Sequence, residues 1–153
     1  VGSITTHVSP FVPKPWTPFQ WLPMEEPAAL KEKINRLRRN LKKIENSYFT
    51  HESVKFSFLQ AVLARGDRRT NDLSVDLASG ADLQRLASRI PVNPNFYALR
   101  EREEHELFPW DFIEREAGKE QLYRRLAALL LPASDTGHGG PPDRGEYRPG
   151  RRK

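Results

Sequence analysis

Apolar residues recur at Leu30, Ile34, Leu37, Leu41 and Ile44, spaced four, three, four and three apart. This is one stripe on a 3.6-residue period, and it predicts an amphipathic helix over residues 25–45. Pro27 suits its first turn. Glu25 and Glu26 complement its N-terminus, and Lys42 and Lys43 its C-terminus. Ahead of it, residues 3–8 are β-branched and strand-like. An isolated strand leaves two unpaired edges, so residues 1–24 are expected to be loosely held.

Residues 47–52 are short and suited to an extended path. Ser53 is placed to cap a second helix through Ala64, with Val54, Phe58, Leu59, Val62 and Leu63 inward and Gly66 as its stop. Residues 70–79 predict a third helix, with Leu73, Val75 and Leu77 apolar and a stop at Gly80. Residues 81–89 predict a fourth, closed by Pro91. Asn93-Pro94 opens a further turn or two, ending by Arg100. The last helix spans 118–131 on the stripe Leu122, Leu126, Leu129 and Leu130. From Pro132 the chain is glycine, proline and charge, which cannot build a core. The expected fold is mainly α: an N-terminal strand, about five helices and a disordered tail.

Composition narrows the function classes. The 153 residues are 37% hydrophobic and 29% charged, with 13 prolines, so the core is small for the length. No run of 18 apolar residues exists, so no helical membrane span is expected. The absence of cysteine excludes disulfides and cysteine-ligated zinc, and a cytoplasmic location is the default expectation. The net charge of +5 is unevenly spread. Seven basic residues lie between Lys31 and Lys43 against one acid, Glu32, whereas residues 100–116 carry seven acids against three arginines.

Residues 11–21, FVPKPWTPFQW, place Pro13, Pro15 and Pro18 among Phe11, Trp16, Phe19 and Trp21. Proline fixes φ and removes a donor, so the stretch reads as a strand end running into an ordered turn. Two further motifs follow. One is SFLQAVLARGDRR from Ser57 to Arg69; the other runs from Phe96-Tyr97 through Arg100-Glu101-Arg102 to Glu106-Leu107 and Pro109-Trp110-Asp111-Phe112-Ile113.

In this order the three motifs resemble the C-terminal portion of a radical S-adenosylmethionine (radical SAM) protein. The group concerned also carries an N-terminal cobalamin-binding domain. The resemblance covers residues 3–122. It implies that residues 1–46 are the end of an α/β barrel (last strand plus basic helix), residues 47–131 a helical C-terminal extension, and residues 132–153 a disordered basic tail. It also implies a [4Fe-4S] cluster, S-adenosylmethionine and cobalamin in the full-length protein, and the remainder of the barrel as partner. Phe11, Val12 and Pro13 are the residues it places near the SAM adenine. The family's cluster loop is C-x-x-x-C-x-x-C, and thiolates hold such clusters. With no cysteine, this chain alone is expected to bind no cluster and to be inactive. Trp16 stands where the family has histidine.

The residues also support other chemistry. Guanidinium groups bind carboxylate or phosphate bidentately, so Arg65, Arg68 and Arg69 form a candidate anion site. The alternative is a cap and salt-bridge cluster facing the acids around 101–106. The basic face of 31–43 reads as a solvated helix surface, with a basic helical module contacting nucleic acid or protein as the alternative function. The run from Arg100 to Glu106 holds only one histidine, His105, and reads as salt-bridged surface rather than a metal site. Trp110-Asp111 reads as a packing anchor with a capping carboxylate. No G-x-S-x-G elbow and no phosphate-cradling glycine loop is present.

Overall fold

The computed structural model of the chain describes residues 2–80 and 93–131. These form β1 (Ile4–Val8), a 3-10 turn (Pro18–Trp21), α1 (Pro27–Leu41), β2 (Ser47–His51), α2 (Val54–Arg65) and a second 3-10 turn (Arg68–Thr70). Then follow α3 (Asn71–Ala78), α4 (Pro94–Ala98) and α5 (Lys119–Leu130). The protein is mainly α. The helix expected over 81–89 and the tail expected from 132 lie outside the described residues.

The extended stretch after α1 is a true strand. β2 pairs with β1 in parallel, Ile4 opposite Ser47 and Val8 opposite His51. Ile4 N donates to Asn46 O at 2.9 Å, and Glu52 N to Val8 O at 3.0 Å. By the alternation of a parallel ladder, Ile4, Thr6 and Val8 direct their backbone groups at β2, while those of Thr5 and His7 point to the outer edge. The single strand expected from the sequence is thus half of a β–α–β unit whose crossover is α1. Its pairing spans the division expected between residues 46 and 47.

The register also sorts the side chains onto two faces. Arg38 of α1 donates to His51 Nε2 and lies 5.8 Å from the Phe49 ring centre, so Phe49 and His51 mark the face that α1 covers. Thr5, His7, Tyr48 and Thr50 occupy the opposite face and are exposed. There His7 Nδ1 and Thr50 Oγ1 are hydrogen-bonded at 2.8 Å.

α1 stops at Leu41, earlier than its apolar stripe suggests. Asn46 at φ 56° completes the reversal into β2, in a backbone region that asparagine tolerates better than most residues. Ile44 is left 56% exposed. α2 begins as expected, with Ser53 Oγ accepting from Phe56 N. Its buried face is Val54, Ser57, Leu59, Ala61, Val62 and Arg65, whereas Phe58 and Leu63 are only half-buried. Val75, Leu129 and Leu130, assigned to apolar faces by periodicity, are exposed.

Two apolar clusters hold the helical part together. Met24, Leu59, Ala61, Val62, Leu73, Tyr97 and Ala98 form one. Trp21, Phe108, Trp110, Leu122 and Leu126 form the other. Residues 1–24 are expected from the sequence to be loosely held, yet within them Pro13, Gln20, Trp21 and Met24 are among the most buried side chains. Each buried aromatic removes a large apolar area from water, which outweighs the poor hydrogen-bonding capacity of a proline-rich segment.

Candidate functional site: the junction of three motifs

The three motifs read from the sequence converge in space. Arg65, the last residue of α2, is fully buried. Its Nη1 donates to Ala98 O at 3.0 Å and its Nη2 to Arg100 O at 2.7 Å. Ala98 O also accepts from Met24 N at 2.8 Å. Arg102 returns the contact, its Nη2 donating to Arg65 O at 2.6 Å while its own N donates to Trp21 O at 2.8 Å. The irregular segment 98–102 is therefore laced on one side to the end of α2 and on the other to residues 21–24. Buried backbone carbonyls need partners, and guanidinium forks supply them here in place of a β-ladder.

Burial, reinforced by the Arg102 and Arg100 charges, lowers the Arg65 pKa to about 10. Arg65 stays charged at neutral pH. Arg102 is lowered by burial too, opposed by Glu106. Its guanidinium lies 5.0 Å from the Phe108 ring centre and 5.1 Å from that of Trp110, so aromatic faces solvate part of its charge. Glu106 accepts both Arg100 nitrogens, at 2.8 and 2.6 Å. That bidentate pair holds the Glu106 carboxyl below its ordinary range.

Asp67 anchors the other side. Its Oδ1 accepts from Arg69 N at 2.9 Å, from Arg69 Nε at 3.0 Å and from the Tyr97 hydroxyl at 3.1 Å. The Arg69 hydrogen bonds lower its pKa to about 2. Gly66 is required between them for space: a Cβ there would sit 2.4 Å from Thr70 Oγ1 and 2.8 Å from Val62 O.

Gln20 and Lys119 close the network. Gln20 Oε1 accepts from Trp16 N at 3.0 Å and from Trp110 Nε1 at 2.9 Å. This pins Trp16 at φ 56°, a left-handed backbone unusual for a bulky residue. Asp111 Oδ2 accepts from Phe108 N at 2.8 Å, so it caps backward rather than into a following turn. Lys119, at the start of α5, pairs with Asp111 and lies 4.1 Å from the Phe108 ring centre.

The candidate anion-site arginines diverge in their environments. Arg65 is sealed in the core, Arg69 is neutralised by Asp67, and Arg68 is exposed with no ion-pair partner among the described residues. Of the acids near 101–106, which the alternative reading places facing this cluster, Glu106 forms its ion pairs with Arg100 and Arg102, and its charge also opposes the lowering of the Arg65 pKa. Of Phe11, Val12 and Pro13, Phe11 is 46% exposed and meets Phe19 edge-on at 5.8 Å. Val12 packs on the first apolar cluster and Pro13 is buried.

Gln20, Tyr97 and Lys119 were not singled out from the sequence. A lone glutamine between Phe19 and Trp21 was the available signal, because a polar residue within an aromatic run must find partners when buried. No group of three or more metal-ligating side chains occurs among the described residues. The absence of cysteine means that an iron–sulfur cluster does not fit this chain's own donors. No protein-family model, curated protein or solved structure matches the chain.

Proposed function

We propose that the chain is the C-terminal portion of a radical SAM enzyme, contributing the last part of the barrel and a helical extension locked onto it. The observation that carries this reading is the parallel β1–α1–β2 unit, in which β1 runs straight into FVPKPWTPFQW at the start of the crossover. Parallel pairs joined by a helix are the building unit of α/β sheets and barrels, and they are normally buried on both faces. Here both outer edges are unpaired among the described residues, and Ile4 is 70% exposed. α1 covers one face. The other bears Thr5, His7, Tyr48 and Thr50, polar side chains that suit a ligand-facing barrel interior better than a second helix layer. The rest of the barrel is the partner that completes the β1 edge.

In the full-length protein a [4Fe-4S] cluster, held by cysteines outside this chain, would supply one electron for the reductive cleavage of S-adenosylmethionine to methionine and a 5′-deoxyadenosyl radical. Phe11 is the residue of the 11–13 segment whose side chain is free to contact the adenine. The basic-module reading rests on α1, where Lys31, Arg36, Arg39, Lys42 and Lys43 are exposed and make no ion pair among the described residues. A polyanion would bind such a face with strong salt dependence.

The test is the polypeptide encoded with and upstream of this segment. A C-x-x-x-C-x-x-C loop there, followed by anaerobic reconstitution, iron and sulfide analysis and detection of 5′-deoxyadenosine, is the expected result. An upstream sequence without that loop sinks the reading. Salt-sensitive RNA binding lost in Arg36→Glu and Arg39→Glu would then favour the basic module.

A further inference from the structure

Leu107 and Phe112 are the most exposed large apolar side chains among the described residues, at 87% and 84%. Such exposure is common on loose loops, but this loop is tightly held. Glu106, before Leu107, is clamped by Arg100. Phe108, after it, is buried, lies under Lys119 and has its N–H tied to Asp111. Trp110 is buried and bonded to Gln20. The anchors alternate with the displayed residues, so Leu107 is held outward by its neighbours. A displayed residue whose flanking backbone is already fixed costs less ordering entropy when a partner covers it than one on a loose loop.

Leu107 lines an open groove of about 570 Å³ with Asp67, Arg68, Arg69, Phe108 and Pro109. Its charge balance is one-sided. Asp67 and Arg69 cancel each other. The nearby acids Glu106 and Asp111 are paired with Arg100 and Lys119. Arg68 is the charge left over, exposed and without an ion-pair partner among the described residues. One wall is apolar and rigid; the other carries an uncompensated guanidinium.

We propose that this groove is a docking site for a peptide segment of another protein, one in which an acidic residue adjoins a leucine or phenylalanine. The acid would pair with Arg68, which can bind a carboxylate bidentately, and the apolar side chain would cover Leu107 and Pro109. A nucleic acid fits less well: it would satisfy Arg68 but leave Leu107 in water. The proposal uses none of the barrel-forming surface and stands independently of the radical SAM reading.

The test is selection of phage-displayed random short peptides on the whole chain, with the Arg68→Glu/Leu107→Ser variant as counter-selector. Enriched peptides are then measured by fluorescence anisotropy. The expected result is enrichment of sequences with Asp or Glu beside Leu or Phe. Their affinity should fall about ten-fold in Arg68→Glu and in Leu107→Ser, as for contacts near an interface centre. It should be unchanged in Arg36→Glu, on α1. Both altered residues are exposed, so unchanged thermal melting is expected and separates lost binding from lost folding. The proposal is overturned if no peptide discriminates wild type from the double variant. It is also overturned if the winners lack acids, or if an RNA oligonucleotide displaces them through Arg68 alone.

Discussion

α1 and α2 are neighbouring helices of similar length with opposite fates. α1 buries one of its 15 residues, Ile34, whereas α2 buries six of its 12. The hydrophobic stripe of α1 is the more regular, yet Leu37 is 42% exposed. The difference lies in what each helix packs on. α2 meets α4, α1 and the laced segment 98–102, while α1 meets α2 along part of its length and, in the two-stranded sheet, chiefly β2, too narrow to cover the rest of its stripe. Amphipathicity declares that a helix has a partner, and the partner's width decides how much is buried. The β1–α1–β2 unit is thus weakly held and the Arg65–Arg102 junction strongly held. Perturbations in the two should differ in size.

The largest effect is expected from Arg65→Met. It keeps much of the volume but strands the Arg100 carbonyl and removes two charged hydrogen bonds, a loss of about 4 kcal/mol. Urea unfolding measures it, and a loss near zero would show that the junction is not what stabilises the helical part. Leu122→Ala opens a cavity beneath Trp21 and Trp110 and should cost about 3 kcal/mol. Loss of near-ultraviolet circular dichroism from the tryptophans should accompany it.

Asp67→Asn should act mainly through pH. Its carboxyl titrates near 2 in the fold, below the ordinary 3.8, because Arg69 and Tyr97 hydrogen-bond to it. A group with a depressed folded pKa stabilises the protein above its unfolded value, and that contribution disappears as pH falls through the folded one. Wild type should therefore lose stability between about pH 4 and 2 more steeply than the variant. Glu106, lowered by Arg100, acts in the same direction and leaves the variant a residual acid limb. Parallel melting curves for the two proteins across this range would exclude the Asp67 network as a source of acid sensitivity.

The smallest effect belongs to the sheet unit. Arg38→Ala removes the contacts to His51 and Phe49 at a half-exposed site and should cost about 0.5 kcal/mol. Hydrogen exchange sharpens the contrast: β1 and β2 amides should exchange by local opening, well before those of α2. Equal protection in β1 and α2 would abolish the distinction between the two regions.

Sequence alone determined the helices whose caps and periods agree. Ser53 opens α2, Asn93-Pro94 opens α4, and Gly80, at φ 78°, follows α3. These signals are local, set by a cap hydrogen bond or by a backbone region open to glycine. It also marked the three motifs, the lack of cysteine and the anchoring role of Trp110. Only the tertiary structure decided the partner of β1, because Ser47–His51 is too short for its alternation to name a strand 43 residues away. Only tertiary structure could separate Arg65 from Arg68 and Arg69. The three read alike in sequence, but the end of α2 turns one into the core, Asp67 captures another, and the third is left facing solvent. Long-range burial assigns those roles, and no local pattern encodes it.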